Sequence, residues 1–364
     1  MAEWARVLNT TINEYIRVQE VNVLRNRKLL ALMKEKGRIT FNHSGDKMNW
    51  KVRYQQNAMQ GYADADVLTF GRQNKWKTAT LDWRGYASTD SMTKKERLMN
   101  KSTEAIINVY AEATKLLMED ITEQFGDEFY KDGNLAGNEK KLHGIESFLG
   151  NTGVSASLPI AVADDSYADL TTDLADYGGT WTGTWPDGTG DAHYDFWSPL
   201  LIDYTSAVAA SSNGWQSSTK TWPNTGSEAI RFAILYTQKN RTMDEKLSII
   251  FLDALLYRQY LDSIDDKERI MIQRGRDSSA LVKLGFNDVV NQDGTDITTE
   301  YGIPASTGYG FNVNKMELLS LQSQLFVPTG PDYDIASMSY RFSIDMFGNC
   351  KFNPRNACKL KNFT

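Results

Sequence analysis

Cysteine and histidine are scarce in this chain, two and three among 364 residues. Cys350 and Cys358 have no His or Cys neighbours at metal-ligand spacing, so they read as small buried hydrophobes, and zinc and redox chemistry are set aside. A disulfide between them is not expected in a reducing compartment. His43, His143 and His193 stand alone, with no partner at ligand or triad spacing, and are assigned structural or surface roles. No apolar run approaches the roughly 18–20 residues that cross a bilayer. The opening Met1-Ala2-Glu3-Trp4 lacks the basic flank and apolar stretch of a secretory signal, so the cytosol is the expected place of synthesis. P-loop, Gly-x-Gly-x-x-Gly and Gly-x-Ser-x-Gly patterns are missing.

What is present is ordinary in bulk: 41% apolar and 24% charged residues, as in globular proteins, over a length that accommodates two or three domains. The net charge of −6 is unevenly spread. Residues 1–53 hold eleven Lys/Arg against five Asp/Glu, whereas residues 151–225 hold nine Asp, no Glu and only Lys220. Such separation concerns association and orientation, or simply two solvated surfaces.

Along the chain, Thr11 and Glu14 form a capping box and Gly37 a stop, with Ile12, Ile16, Val23, Leu30 and Met33 near one helical face. Strand-like runs follow at Arg38–Asn42 and Met48–Tyr54. Residues 55–88 read as a long polar hairpin, Val67–Arg72 and Lys75–Ala87 flanking Gln73-Asn74. Its base turns apolar from Ala79 onward, and its tip has too little apolar surface to pack on its own domain. The clearest helix begins at the Thr93/Glu96 capping box and is expected to end at Gly126, about 50 Å long. Leu98, Ala105, Ile106, Val109, Ala113, Leu116, Leu117 and Ile121 keep its spacing. A single long helix with no heptad partner is expected to lie across a sheet.

Residues 151–225 contain Trp181, Trp185, Trp197, Trp215 and Trp222 and read as a loop-rich elaboration rather than a disordered tract. Ser227–Lys239 is helix-like, Leu247–Leu252 a buried strand, and Asp253 caps a helix through Leu255, Leu256, Tyr260 and Leu261. Near the end, Met338, Tyr340, Phe342, Ile344 and Met346 alternate with polar residues. Gly348-Asn349 reads as a hairpin turn, after which Cys350 and Phe352 resume the register.

Chemistry-bearing patterns are few. Asn291, Asp293, Gly294 and Glu300 match part of a calcium loop, but Val289 stands at the first ligand position, so a turn is the better reading. The acidic, tryptophan-rich window has the composition of a sugar site, without a spacing that identifies paired carboxylates. The basic N-terminal segment suits phosphates or a neighbouring subunit, with no nucleic-acid-reading motif beside it.

The order of these elements, and several stretches of wording, resemble the HK97-like major capsid proteins of tailed bacteriophages. These stretches are Asn9–Tyr15 through Val23–Leu30, Gly37–Gly45, Lys77–Tyr86, Met92–Met99, and Tyr130–Asn134 with His143–Ile145. The resemblance implies an α+β fold with an N-terminal arm and first strands (1–54), an extended loop (55–91), and a peripheral domain with a spine helix (92–135 and 305–364). It also implies an axial domain (136–304) with an insertion at about 151–225. It further implies a structural, non-enzymatic subunit without cofactors that forms hexamers and pentamers of an icosahedral head around double-stranded DNA. Scaffolding, portal and decoration proteins would be its partners, with no membrane, and assembly in the host cytoplasm would give a virion component. Since the arm begins at residue 1, a fused scaffolding region is not expected. Contact candidates are Arg72, Lys75, Trp76, Lys77 and Arg84 on the loop and Arg17, Arg25, Arg27 and Lys28 on the arm. One branch of the family cross-links a loop lysine to an asparagine; Lys75 or Lys77 with Asn349, Asn353 or Asn356 are the positions that would do so here. An encapsulin-type shell, or a carbohydrate-binding module or enzyme built on residues 151–225, are the alternatives.

Overall fold

The computed structural model describes residues 27–53, 59–72, 74–99, 103–150, 160–162, 165–172, 197, 199–205, 219, 221–238, 246–265, 281 and 288–362. The Thr11/Glu14 capping box, Ile12, Ile16, Val23, Arg17, Arg25, Trp181, Trp185, His193 and Trp215 lie outside the described residues. The chain runs through helix α1 (Lys28–Glu35), strands β1 (Ile39–Thr40), β2 (Lys47–Arg53), β3 (Trp76–Asp82) and β4 (Arg84–Thr93), then α2 (Lys94–Met99) and α3 (Thr103–Glu128). Short strands β5 (Ile160–Val162), β6 (Ser166–Tyr167) and β7 (Leu170–Thr171) precede β8 (Leu200–Asp203) and α4 (Trp222–Gln238). There follow β9 (Ile249–Leu252), α5 (Ala254–Asp265), β10 (Val290–Gln292), β11 (Thr295–Thr299), β12 (Thr307–Phe311) and β13 (Met316–Ser320). The last strands are β14 (Val327–Asp334), β15 (Ser339–Phe352) and β16 (Ala357–Lys361).

Strand β15 is the centre of the first sheet. One of its edges pairs with β14 and then β13, the other with β4, and β1 adds in parallel to β13. The expected alternation is present: Phe342, Ile344 and Met346 are buried and Arg341 is exposed. The expected turn at Gly348-Asn349 is not. The strand continues through it for 14 residues, and Cys350 and Phe352 resume the register because nothing interrupts it. Glycine is needed at 348 for another reason, since a Cβ there would press on the Leu319 carbonyl of the paired strand. Met338, expected among the buried set, is 53% exposed at the β14–β15 connection.

The long helix backs this sheet, as its single apolar stripe predicts. Leu117, Met118, Ile121 and Phe125 share one core with Phe342, Ile344 and Met346, each such burial contributing about 1.5–3 kcal/mol. Phe125 meets Phe326 edge-on at 5.6 Å and Tyr86 at 6.2 Å. The Thr93/Glu96 capping box forms, with reciprocal bonds of 2.9 and 3.3 Å, but it starts the short α2. Helix α3 begins at Thr103, runs 26 residues or about 39 Å, and leaves Leu116 exposed, as Leu98 is on α2. Gly126 does not end it: the helix continues to Glu128, and the glycine makes room for the Arg27 side chain.

The second sheet has the order β10-β11-β9-β12-β16-β8-β5. Both faces are covered, which explains why β8 and β9 are buried at every position instead of alternating. Ile250 and Leu252 point into a core made with α4 and α5, while Ile249 and Phe251 belong to the core shared with the first sheet. Helix α4 starts at Trp222, five residues before the expected Ser227, because the turn is closed by Thr225 N–H to the Thr221 carbonyl at 3.0 Å and the Trp222 indole donates to Leu256 O at 2.8 Å. The Asp253 carboxylate accepts from the Ser306 amide at 3.2 Å. The calcium-like run is the β10–β11 hairpin turn, with Asp293 and Gly294 at φ +52° and +79° and Asn291 Oδ1 accepting from Gly294 N–H.

Candidate functional site

The expected hairpin exists with a different partner. β3 pairs antiparallel with β2, from Lys47 opposite Asp82 to Arg53 opposite Trp76, and residues 67–72 form no strand. This register buries Met48, Val52, Ala79 and Leu81 on one face, a gain that the non-alternating Val67–Arg72 run does not offer. The predicted strand Lys75–Ala87 is two strands, bent at Trp83, whose indole donates to Gly45 O at 3.0 Å. The base of the ribbon is further fixed by Thr80 N–H to Ala168 O at 2.9 Å and by Asn349 Nδ2 to Asp82 O at 2.8 Å.

Beyond that base, residues 59–72 of the connection between β2 and β3 hold their own shape while leaving apolar side chains outside. The Gln60 amide brackets the Thr69 backbone, donating to its carbonyl at 2.9 Å and accepting from its N–H at 3.0 Å. Asp66 accepts from Ala63 N–H at 2.8 Å. Met59, Val67 and Phe70 are 99%, 95% and 90% exposed, and Tyr62, Leu68 and Trp76 are exposed beside them. Contiguous exposed apolar residues on an ordered protrusion mark an interaction surface. The sequence reading selected the cations here and missed these apolar residues. The signal it passed over was the run Val67-Leu68-Thr69-Phe70 in a polar segment with no strand alternation to bury it.

Of the loop candidates, Arg72 and Trp76 are exposed near these residues, and Lys75 and Lys77 are half-buried on β3 or just before it. Arg84 lies past the bend, apart from the loop, where its charge acts on His143. His143 is buried, its Nδ1 2.9 Å from Asn349 Nδ2, and desolvation followed by the Arg84 charge lowers its pKa to about 4. Asn349 also accepts from the amides of Cys350 and His143 at 2.8 and 3.2 Å. Asn349 and Asn356 are buried in their own chain, so neither presents a carboxamide to a neighbour's lysine.

The arm candidates Arg27 and Lys28 are engaged within the chain. Arg27, 7% exposed, donates to Glu123 O at 2.6 Å and Tyr301 O at 2.8 Å and pairs with Asp127 at 3.3 Å. It thereby places a cation at the C-terminal end of α3, whose last turn has no basic residue of its own. Gly126 and Gly302 leave the room that this Arg27–Asp127 pair fills. Lys28 bonds Asp288 at 2.5 Å, Thr298 Oγ1 at 2.9 Å and Thr299 O at 2.8 Å. Between them Glu300 accepts from Leu29 N–H at 3.2 Å and Tyr130 OH at 2.5 Å. Desolvation holds its pKa above the usual carboxylate value, against the pull of Tyr130, Leu29 and the two cations. α1 then ends as foreseen at Gly37, φ +65°, with Gly37 N–H to Lys34 O at 3.0 Å and Arg38 N–H to Met33 O at 2.8 Å, a Schellman motif.

Both cysteines are buried, and desolvation raises both thiols, Cys358 to about 12. Among the described residues no three His, Cys, Asp or Glu side chains gather as metal ligands, and no described helix is long and apolar enough to cross a membrane.

No protein-family model matches the sequence, and no curated protein matches it. Among solved structures the chain is similar to one from the cyanophage A-1(L) capsid asymmetric unit, at 12% identity over 94% of this chain and 92% of that one, with a TM-score of 0.54. It is similar to a chain of the capsid of an empty GTA particle at 10% identity, over 90% and 96% of the two chains, with a TM-score of 0.54. The capsid of the native GTA particle gives 10% identity, coverage of 89% and 86%, and a TM-score of 0.51. At these identities the likeness is one of fold, and the chain has the α+β, HK97-like fold that its sequence led us to expect.

Proposed function

We propose that this chain is a major capsid protein, a structural subunit that assembles as hexamers and pentamers into an icosahedral head around double-stranded DNA. The observation that carries the reading is the ordered loop after β2, which holds Met59, Val67 and Phe70 in solvent on a subunit with the fold of capsid proteins. A monomer gains nothing from such a surface, whereas repeated heterologous contacts between identical subunits cover it. In this reading the loop is the extended loop, residues 92–135 and 305–364 are the peripheral domain, and residues 136–304 are the axial domain. Arg72, Lys75, Trp76 and Lys77 border the intersubunit contact, while Arg27 and Lys28 tie the start of α1 to the rest of the subunit. Packaged DNA is met through phosphate contacts, and scaffolding, portal and decoration proteins are partners of the assembled head, which matures in the host cytoplasm and remains in the virion.

The test is negative-stain electron microscopy of the purified, recombinantly expressed chain. Closed shells, or free hexamers and pentamers, are the expected result. A uniform field of monomers at concentrations of tens of micromolar, with the loop intact by mass spectrometry, would overturn it.

A further inference from the structure

One carboxamide joins three parts of the subunit that are far apart in sequence. Asn349 Oδ1 accepts from the amides of His143 and Cys350, at 3.2 and 2.8 Å. Its Nδ2 lies 2.8 Å from the carbonyl of Asp82, the last residue of β3, and 2.9 Å from His143 Nδ1. The carboxamide cannot be turned over, because its NH2 would then face two N–H donors. Both Nδ2 protons are therefore donated, one to Asp82 O and one to Nδ1, and Nδ1 must be bare. A proton on Nδ1 sets N–H against N–H, and a carboxamide that rotates away from it gives up Asp82 as well.

Two of the three parts are fixed. His143 is wedged in backbone: a Cβ on Gly133 would strike its Cα and the Leu142 carbonyl, and one on Gly144 the Phe129 and Lys131 carbonyls. Asn349 stands inside β15, opposite Leu319 of β13. Asp82, by contrast, ends its strand beside the bend at Trp83, so the root of the β2–β3 ribbon is the part that yields.

The charges around the imidazole are Arg84 at the start of β4, Asp82 with its partner Lys47 on the ribbon, and Asp169 on the β6–β7 turn. The Tyr167 ring meets it edge-on at 6.4 Å, and desolvation keeps the Cys350 thiol of β15 neutral. On its own segment Glu146 is taken up by Lys359 and Tyr309. Desolvation and Arg84 outweigh the two aspartates, which holds the imidazole neutral down to about pH 4.

We propose that the Asn349 carboxamide is an acid-sensitive joint: protonation of His143 at Nδ1 breaks its bond to Asn349, releases Asp82 and frees the root of the β2–β3 ribbon while the second sheet stays closed. The joint lies wholly within one subunit, so it operates with or without assembly. Its sign follows from the bare Nδ1: the closed form disfavours the proton, the open form takes it at the ordinary histidine value, and acid favours opening.

Hydrogen–deuterium exchange of the purified full chain tests it, with rates corrected for the intrinsic effect of pH. The reporters are the Thr80 amide, bonded to Ala168 O, and the His143 amide, bonded to Asn349. With a closed pKa of about 4 and an open one of about 6.5, their opening should rise about 30-fold between about pH 7.5 and about pH 5. Amides of β9 and β12, in the second sheet, should not change. His143→Asn puts a carbonyl oxygen that does not titrate where Nδ1 stands, and should remove the acid response. A native chain without the response, an equal response in H143N, or loss of protection in β9 and β12 at the same pH overturns the joint. Asn349→Asp gives a readout that needs no H143N: a carboxylate facing Nδ1 should raise the imidazole titration above its native midpoint, and an unchanged midpoint overturns the contact.

Discussion

Replacing Arg27 by alanine should be among the most damaging single substitutions in the described residues. The side chain is 7% exposed and delivers two charge-assisted hydrogen bonds, to Glu123 O and Tyr301 O, besides its ion pair with Asp127. Each charged hydrogen bond is worth about 1.5–3 kcal/mol. Asp127 is 36% exposed, so the pair itself adds only about 0–1 kcal/mol. The expected loss is about 3–5 kcal/mol, the range found when one partner of an enclosed charged contact is removed. Arg27→Lys should lose about half of this, since an ammonium lacks the planar fork that reaches two carbonyls at once. Gly126 supplies a sign test. In an exposed helix Gly→Ala gains about 0.8–1 kcal/mol, but here the new Cβ meets the Arg27 side chain, a collision costing about 1–3 kcal/mol. Gly126→Ala should therefore destabilise the native protein and stabilise the R27A variant. Urea unfolding of the purified chain, followed by tryptophan fluorescence and far-UV circular dichroism, gives the midpoints, with m expected to stay constant. An R27A loss under about 1 kcal/mol, or a G126A effect of the same sign in both backgrounds, would refute the reasoning.

Two further outcomes follow from the same geometry. His143 has a folded pKa of about 4 against about 6.5 unfolded, so its neutral form is the one the fold accommodates. The stability it contributes is complete above pH 6.5 and declines as pH falls toward 4. The imidazole proton resonances should titrate near 4, and a midpoint near 6.5 would contradict the buried Asn349 contact. Gly348→Ala drives a methyl at the Leu319 carbonyl and should cost about 1–3 kcal/mol or more in thermal or urea unfolding; a neutral result would mean that β13 and β15 separate readily.

Much of this architecture was legible in the sequence, for reasons visible at particular residues. The stop at Gly37, the capping box at Thr93, the buried alternation of Phe342, Ile344 and Met346, and the turn at Asp293-Gly294 all rest on local rules, and local contacts satisfy them. The misreadings involve partners distant in sequence. Gly348 looks like a turn until Leu319 is seen beside it, and Gly126 looks like a helix stop until Arg27 is seen crossing it. β3 looked for its partner nearby at Val67–Arg72 and found it at Lys47–Arg53. The candidate surface was half legible: the protruding loop was foreseen, but attention to charge hid the exposed Met59, Val67 and Phe70.

The position of β15 also bears on when the fold is completed. Its first ten residues pair with Arg84–Thr93, which leave the ribosome long before them, while β2 and β3 are neighbours in synthesis and close on each other early. Non-local pairing of this kind is slow, and an unpaired β4 is an aggregation-prone edge until its template arrives. The α2 end of β4 acquires its seat on the β14–β15 connection only once Met338 is in place to accept the Lys94 amide. A nascent chain thus completes the β2–β3 ribbon first and the α2 end of the first sheet last.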